Sequence, residues 1–196
     1  MNSVIFNTYQ DICRSLSLRG SVLEVGATAD ESSLLNLPAL AGVQEKIGVN
    51  LIAGRFKDYA IVECNANAMT CFPDNRFDAV FCNATLEHDP FFWKSIAEIR
   101  RVTKPGGAIV IGTPGYAVLP FEKKVRRLLG WIPRPLRPNL AGLNKSTLTF
   151  QVHNCPGDYY RFSEQTYRDV FFAGLQSVSI RVVMSPPRII GFGIKP

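Results

Sequence analysis

The sequence predicts an α/β fold in which a mostly parallel sheet is covered by helices on both faces and closes with an antiparallel hairpin. Short apolar runs alternate along the chain with polar or helical stretches, as in parallel sheets with crossover helices. Only residues 184–187 separate the last two runs, whereas a parallel crossover needs about a dozen residues, so these runs must pair antiparallel or not pair at all. The runs expected to form strands are 21–25, 46–50, 60–64, 77–83, 107–113, 176–183 and 188–194.

The composition is that of one ordinary globular domain spanning residues 1–196. The chain is 46% hydrophobic and 19% charged, which is enough apolar material for a sizeable core. It contains no secretory leader pattern and no apolar run of the ~18 residues that a membrane span needs, so a cytoplasmic location is expected. The five cysteines form no framework and are expected to be reduced. No metal site is expected, because His88 and His153 lie far apart and no CxxC occurs.

Three helices are predicted around the expected strands. Apolar residues spaced by three and four indicate helices over 4–16 and about 163–175. A further helix is expected to begin at Asp89 as its N-cap and to end before the KPGG turn. Ser163 is the expected N-cap of the last helix, and Gly174 suits a left-handed C-terminal cap.

The stretch VLEVGATAD, residues 22–30, is a buried strand that runs into a turn with a single glycine, Gly26. A dinucleotide site needs two further glycines so that a pyrophosphate can approach bare backbone. Thr28 and Glu31 stand at those positions here, and Asp30 adds a second acid. Two carboxylates repel a pyrophosphate, which disfavours a nicotinamide oxidoreductase. The same acidity suits an adenosyl ligand that carries positive charge.

The stretch ANAMTCFPDNRFDAVFCNATLEHDPFFWKSIAEIRRVTKPGGAIVIGTPG, residues 66–115, is similar phrase by phrase to class I S-adenosylmethionine-dependent methyltransferases of the small-molecule type. FPDNRFD, LEH and RRVTKPGG occur in the family's order and spacing, and 21–51 and 153–162 resemble it more loosely. The resemblance implies a Rossmann-like three-layer sandwich with a seven-stranded, mostly parallel sheet whose last strand is antiparallel. It also implies S-adenosylmethionine as the cofactor and methyl transfer to a small-molecule or lipid-like acceptor.

The resemblance further implies a set of cofactor-binding positions. Glu24, Gly26 and Ala27 border the methionine end, Asn50 and Leu51 the ribose, Asn65 and Ala66 the adenine, and Asn83 the reacting methyl group. Taken singly, each has another explanation, because glycine and asparagine also favour plain turns at strand ends. Together, at the carboxyl ends of consecutive strands, they indicate a ligand site. A non-catalytic relative with weakened cofactor binding remains the alternative function.

Methyl transfer needs a base only if the acceptor holds a proton. The candidates for such a group are His88, His153, Asp158 and Tyr159. The alternative is structural: His88 caps the following helix, and neighbouring Tyr160 and Phe162 pack in the core.

Residues 115–160 are expected to form a basic insertion or lid. Within it, 121–137 has an apolar helical face opposite lysines and arginines, which indicates a basic amphipathic helix. Such a helix could cover an anionic substrate, contact an acidic membrane surface, contact nucleic acid, or simply be solvated. Nucleic acid is the least favoured partner, because no nucleic-acid module occurs elsewhere.

Overall fold

The computed structural model describes residues 3–118, 147–149, 152, 157–184 and 187–196. The strands are β1 Ser21–Val25, β2 Glu45–Asn50, β3 Gly54–Phe56, β4 Tyr59–Glu63, β5 Phe77–Asn83, β6 Thr103–Pro114, β7 Tyr116–Val118, β8 Thr147–Thr149, β9 Gln176–Met184 and β10 Pro187–Ile194. The helices are α1 Ser3–Leu16, α2 Phe92–Val102 and a short α3 Glu164–Thr166 that continues as a π-helical turn, Tyr167–Phe171. Three 3-10 turns cover Leu34–Asn36, Pro38–Leu40 and Leu86–His88.

The main sheet has eight strands in the order β3-β4-β2-β1-β5-β6-β10-β9. Strands β4, β2, β1, β5 and β6 are parallel to one another. Strand β10 pairs antiparallel with both β6 and β9, which confirms the predicted terminal hairpin. The eighth strand is β3, which folds back antiparallel onto β4 at the edge and was not among the seven expected runs. All five parallel strands end at one side of the sheet, called the carboxyl edge below, at Val25, Asn50, Glu63, Asn83 and Pro114.

Two apolar layers, one on each face of the sheet, make the predicted three-layer arrangement. On one face α1 packs through Tyr9 and Ile12, together with the 3-10 turns after β1. On the other face α2 packs through Ile96 and Ile99, beside Phe171 of the π-helical turn. All five of these apolar residues are at least 95% buried, so both faces of the sheet are shielded from water, as a parallel sheet requires.

The start of α2 corrects the predicted N-cap. The helix begins at Phe92, with Phe91 in the capping position and no side-chain cap. The Asp89 carboxylate instead accepts hydrogen bonds from Asn67 Nδ2 at 2.6 Å and Ser95 Oγ at 2.6 Å. Asp89 also accepts the Phe91 N–H at 2.8 Å and lies two residues before the capping position, so it closes the turn that precedes α2 and does not cap the helix.

The last helix differs from the prediction in type. Ser163 Oγ accepts the Thr166 backbone N–H, so the predicted N-cap is confirmed. After one α-turn the chain widens, and the Phe172 N–H donates to the Tyr167 carbonyl at 2.8 Å. Arg100 Nη2 donates to three carbonyls around the end of this turn, which stabilises its widened geometry. Gly174 has φ +74° and forms the predicted left-handed termination.

The expected lid lies mostly outside the described residues, including its basic part, 121–137, and His153. Its two ends are described: β7 and β8 pair antiparallel, so residues 118 and 147 lie opposite each other. In the described part of the chain, no helix is both long and apolar enough to cross a bilayer. Cys13, Cys64, Cys71 and Cys82 are free thiols.

Candidate active site

The turn after β1 is tight because its backbone is pinned to β2. The N–H groups of Gly26 and Ala27 both donate to the Val49 carbonyl, at 2.8 and 3.2 Å. Gly26 has φ +79°, and a Cβ added there would lie 2.0 Å from Thr85 Oγ1. Glycine is therefore required both by conformation and by the close approach of the turn that follows β5.

The acids of this turn have different environments. Glu24 is buried, and its carboxylate accepts from Ser33 Oγ and, at 3.1 Å, from the Leu34 N–H. Burial raises the pKa of Glu24 to about 7. Asp30 is exposed, and hydrogen bonds from the Ser32 hydroxyl and N–H lower the pKa of its carboxyl. Asp30 therefore keeps a negative charge at the mouth of the turn, where a phosphate would be repelled and an ammonium attracted.

Asn50 joins the ends of β1 and β2. Its Nδ2 donates to the Ala27 carbonyl at 2.8 Å, and its Oδ1 accepts from the Leu51 N–H at 2.7 Å. A carboxylate at this position could not donate to Ala27, so the amide is matched to this turn. The Leu51 side chain is 67% exposed at the same edge.

Asn65 shapes the chain after β4. Its Oδ1 accepts the Asn67 N–H at 2.9 Å, forming an Asx turn. Ala66 packs against the core of the α2 face. Because Asn67 is also bonded to Asp89, the chain after β4 is tied to the turn before α2.

Asn83 is the meeting point of three elements. Its Oδ1 accepts from the Tyr9 hydroxyl at 3.0 Å and from Arg188 Nη1 at 3.2 Å. Burial raises the pKa of Tyr9 well above its ordinary value, so the hydroxyl remains protonated and acts as the donor. A Cβ at Gly112 would lie 1.9 Å from the Tyr9 hydroxyl, so glycine makes room for this contact.

Three of the four candidate catalytic residues are described, and they lie beside one another. His88 Nδ1 is 3.1 Å from the Gly157 carbonyl oxygen. Asp158 forms a buried two-pronged ion pair with Arg161. The Tyr159 N–H donates to the Glu87 carbonyl at 2.8 Å, while its side chain is 58% exposed. His153 lies outside the description, and the described residues contain no group of three His, Cys, Asp or Glu that could hold a metal.

Sequence reasoning missed two charged residues in this region. Glu87 has no exposed surface, and neither of its carboxylate oxygens has a hydrogen-bond partner among the residues described. The LEH phrase was a usable signal for it. No sequence pattern indicated Arg188, which lies at the start of β10, because only the antiparallel return of the chain brings it to Asn83.

An aromatic cluster walls this part of the carboxyl edge. Ring centroids lie 5.1 Å apart for Phe92 and Tyr160, 5.1 Å for Phe92 and Phe162, and 5.0 Å for Phe162 and Phe171. Tyr160 and Phe162 thus pack with the core, as their structural interpretation required. Phe91 and Trp93 continue the cluster outward and are 48% and 51% exposed. The exposed rings form a rim beside the site.

Residues 38–111 match a family model described as a methyltransferase domain. A demethylmenaquinone methyltransferase of Shouchella clausii is 27% identical to this chain over 183 residues, which is 87% of this chain and 71% of that protein. The match to the family model covers the turn residue Asn50, the end of β5 and the whole LEH and KPGG region.

Two solved structures share the fold. One is a 1,6-didemethyltoxoflavin-N1-methyltransferase of Burkholderia thailandensis with bound S-adenosylhomocysteine, with TM-score 0.66, 16% identity, and coverage of 99% of this chain and 79% of that one. The other is a phosphoethanolamine N-methyltransferase 2 of Haemonchus contortus with S-adenosyl-L-methionine, with TM-score 0.60, 13% identity, and coverage of 97% and 52%. The hairpin-closed sheet, the methyltransferase-domain match over residues 38–111 and these relatives together show that the chain resembles the class I S-adenosylmethionine-dependent methyltransferases, and they support methyltransferase activity with S-adenosylmethionine as the cofactor.

Proposed function

We propose that this enzyme methylates an apolar, ring-bearing acceptor of the quinone-like or lipid-like kind, bound at the carboxyl edge beside Asn83. The aromatic cluster carries this proposal. Phe92 and Tyr160 are partly exposed and offer ring surface that suits stacking with a flat apolar molecule, and the buried Phe162 packs behind them. Exposed Phe91 and Trp93 extend that surface toward solvent, where a hydrocarbon tail could lie. The relative named demethylmenaquinone methyltransferase supports an acceptor of this type.

The proposed cofactor site follows the ends of β1, β2, β4 and β5. A sulfonium nucleoside suits it, because Asp30 supplies negative charge at a turn that offers no phosphate cradle. Glu24 supports the turn from behind by holding the residues after it. The residues proposed to border the cofactor are Glu24, Gly26, Ala27, Asn50, Leu51, Asn65, Ala66 and Asn83.

When bound, S-adenosylmethionine supplies a methyl group on a good leaving group. The protein contributes mainly orientation, which can account for several orders of magnitude in rate. Asn83 has its amide oxygen fixed by Tyr9 and Arg188, so its position beside the proposed methyl site is set by two other elements. The aromatic cluster excludes water and holds the acceptor ring against that position.

Contact with an acidic membrane surface is part of the proposal. Segment 121–137 is basic in sequence, and its anchor strands β7 and β8 lie close to the aromatic cluster, since the Tyr116 N–H donates to the Phe162 carbonyl at 3.2 Å. Aromatic side chains and lysines are favoured at membrane interfaces. Lys94 Nζ lies 5.0 Å from the centre of the exposed Phe91 ring. A lipid-like acceptor could then pass from the bilayer to the site.

The direct test is methyl transfer to a chosen acceptor. Purified protein is incubated with S-adenosylmethionine labelled in its methyl group and with chemically reduced short-chain demethylmenaquinone, and the labelled product is identified by mass spectrometry. A parallel reaction uses a polar acceptor, phosphoethanolamine, which appears in the name of the Haemonchus contortus neighbour. Transfer to the reduced quinone supports the proposal. Transfer to phosphoethanolamine with none to the quinone would overturn it.

A further inference from the structure

Glu87 is a buried carboxyl group whose hydrogen-bonding capacity is unused. It lies in the 3-10 turn Leu86–His88, directly after β5, and none of its surface reaches solvent. Within the described structure neither Oε1 nor Oε2 accepts a hydrogen bond. Burying an acceptor without a partner is unfavourable, and burying an unpartnered charge is far more so. The folded protein therefore carries a group that its own packing does not explain.

Glu24 shows what a structural buried glutamate looks like in the same protein. It is as deeply buried as Glu87, yet its two oxygens accept from Ser33 and Leu34. Burial raises the pKa of both residues to about 7. The two differ in their partners, so burial alone does not account for the bare oxygens of Glu87.

The charged and titratable groups around Glu87 come from four elements. His88 Nε2 is 4.0 Å from Glu87 Oε1. Arg161 interacts favourably with Glu87, but its guanidinium is bonded to Asp158. Arg188 also interacts favourably, and it is hydrogen-bonded to Asn83. Asp158 repels the ionised form of Glu87 and raises its pKa. The charge of Glu87 in turn raises the pKa values of Cys82 and Tyr167.

This arrangement can stabilise the ionised carboxylate without blocking it. The two cations are close enough to attract Glu87, while their own hydrogen bonds are directed to Asp158 and Asn83. No described residue donates a hydrogen bond to the two carboxylate oxygens, and because Glu87 has no exposed surface, a donor from a bound acceptor reaches them only when the residues that cover Glu87 move aside. Since the site is dry, water does not compete for these oxygens.

The position of Glu87 connects it to the reaction. It follows Asn83 by one short turn, and its backbone carbonyl accepts the N–H groups of Tyr159 at 2.8 Å and of Tyr160 at 3.3 Å. Asn83 stands at the proposed methyl site and Tyr160 belongs to the aromatic cluster. A ring stacked on that cluster with its reacting atom near Asn83 would bring a ring substituent toward Glu87.

We propose that Glu87 accepts a hydrogen bond from a ring hydroxyl of the methyl acceptor and removes its proton during methyl transfer. This inference rests on the proposed function, and it narrows the acceptor to a hydroxyl-bearing ring. The O–H bond breaks and its proton goes to the carboxylate. The released electron pair, on oxygen or on a conjugated ring carbon, forms the bond to the methyl group as the S–CH3 bond breaks with its pair remaining on sulfur. If carbon is methylated, the product leaves as the keto tautomer and rearomatises in solution by losing the C–H proton and regaining a proton on oxygen, while Glu87 returns its own proton to solvent when the product is released.

The kinetic test compares Glu87→Gln with Glu45→Gln, a matched change at the opposite, amino edge of the sheet. With reduced demethylmenaquinone as probe, we expect kcat of E87Q to fall by ~100-fold, the usual contribution of a general base, while S-adenosylhomocysteine affinity is unchanged. The wild-type kcat/KM should rise through pH about 7, and this rise should be absent in E87Q. E87Q activity within ~3-fold of wild type, or an unchanged pH profile, would overturn the proposal.

A binding test separates this inference from the identity of the natural acceptor. Naphthol and its methyl ether have the same ring and differ in the hydroxyl donor. Wild-type protein saturated with S-adenosylhomocysteine should bind naphthol ~10-fold more tightly than the ether, as for one hydrogen bond to a charged group. E87Q keeps only a neutral acceptor oxygen, so it should reduce this preference to ~2-fold, and E45Q should keep the full preference. Equal affinities in the wild type would exclude the hydroxyl contact, whether or not demethylmenaquinone is methylated.

Discussion

The hydroxyl of Tyr9 donates a 3.0 Å hydrogen bond to Oδ1 of Asn83, joining the first helix of the chain to the end of the central strand β5. The contact needs Gly112, because a Cβ there would meet the hydroxyl at 1.9 Å. It fixes one of the residues proposed to lie beside the reacting methyl group.

Gly112→Ala should therefore lower stability and activity together. Overpacking at a buried contact costs about 1–3 kcal/mol, and displacement of Asn83 should reduce kcat. Urea unfolding and turnover of the reduced quinone measure the two effects. Tyr9→Phe combined with Gly112→Ala removes the clashing oxygen, so the double variant should recover stability relative to G112A. Additive losses would show that the clash lies elsewhere.

Gly26→Ala should weaken cofactor binding. The substitution strains a backbone with φ +79° and pushes a methyl group against Thr85 Oγ1, for a combined cost of about 2–4 kcal/mol. Calorimetric titration with S-adenosylhomocysteine measures the affinity. Gly106→Ala is the matched control, because Gly106 also has positive φ but has nothing within 4 Å of the added Cβ. Equal effects of the two changes would mean that the contact with Thr85 is unimportant.

Asn50→Asp should destabilise the protein. The change removes the donor to the Ala27 carbonyl and places a carboxylate against it, which costs about 1–3 kcal/mol. Asn65→Asp is the control, since Asn65 acts toward Asn67 through its oxygen, which a carboxylate retains. Chemical denaturation of both variants at pH 7.5 or about that value checks the difference. If N50D were as stable as the wild type, the proposed role of the Asn50 amide would be wrong.

Stability should fall as pH rises between the unfolded and folded pKa values of the two buried glutamates. Burial raises the pKa of Glu24 and Glu87 from 4.5 to about 7, so the folded state binds more protons than the unfolded state in this window, and the free energy of unfolding decreases with pH. Each group can contribute up to about 3 kcal/mol. Urea unfolding at several pH values should show a shallower slope for Glu87→Gln and greater stability than wild type above pH ~7. If the free energy of unfolding of Glu87→Gln changed with pH as steeply as that of the wild type, Glu87 could not be a buried carboxyl group with a raised pKa.

Membrane binding should depend on the exposed aromatic rim. Replacing Phe91 and Trp93 by serine removes two half-exposed rings, and each ring inserted at an interface contributes on the order of 1 kcal/mol or more. Co-sedimentation with vesicles containing phosphatidylglycerol should drop at least several-fold, and pure phosphatidylcholine should bind little. Val178→Ser, at an exposed position of edge strand β9, is the control. If the double variant sedimented with vesicles as well as the wild type does, the aromatic rim would not be part of the membrane-binding surface.

The sequence by itself predicted seven of the eight strands of the main sheet and the resemblance of the chain to methyltransferases. Apolar runs placed all seven expected strands, and the length of the last connection required an antiparallel return, because chain geometry allows no crossover in so few residues. The phrases FPDNRFD, LEH and RRVTKPGG carried the resemblance to methyltransferases, which implied the cofactor. These are local signals, readable along a few consecutive residues.

The tertiary structure decided the contacts that meet across elements. Tyr9 and Arg188 are 74 and 105 residues away from Asn83 in sequence, and no local pattern indicates that they share its oxygen. Asp89 does not cap α2 and instead accepts a hydrogen bond from Asn67, which lies in another segment. The burial of Glu87, without a hydrogen-bond donor among the described residues, is likewise a product of the packed layers. Propensity and connection length act along the backbone, whereas burial and long-range hydrogen bonds depend on the assembled layers.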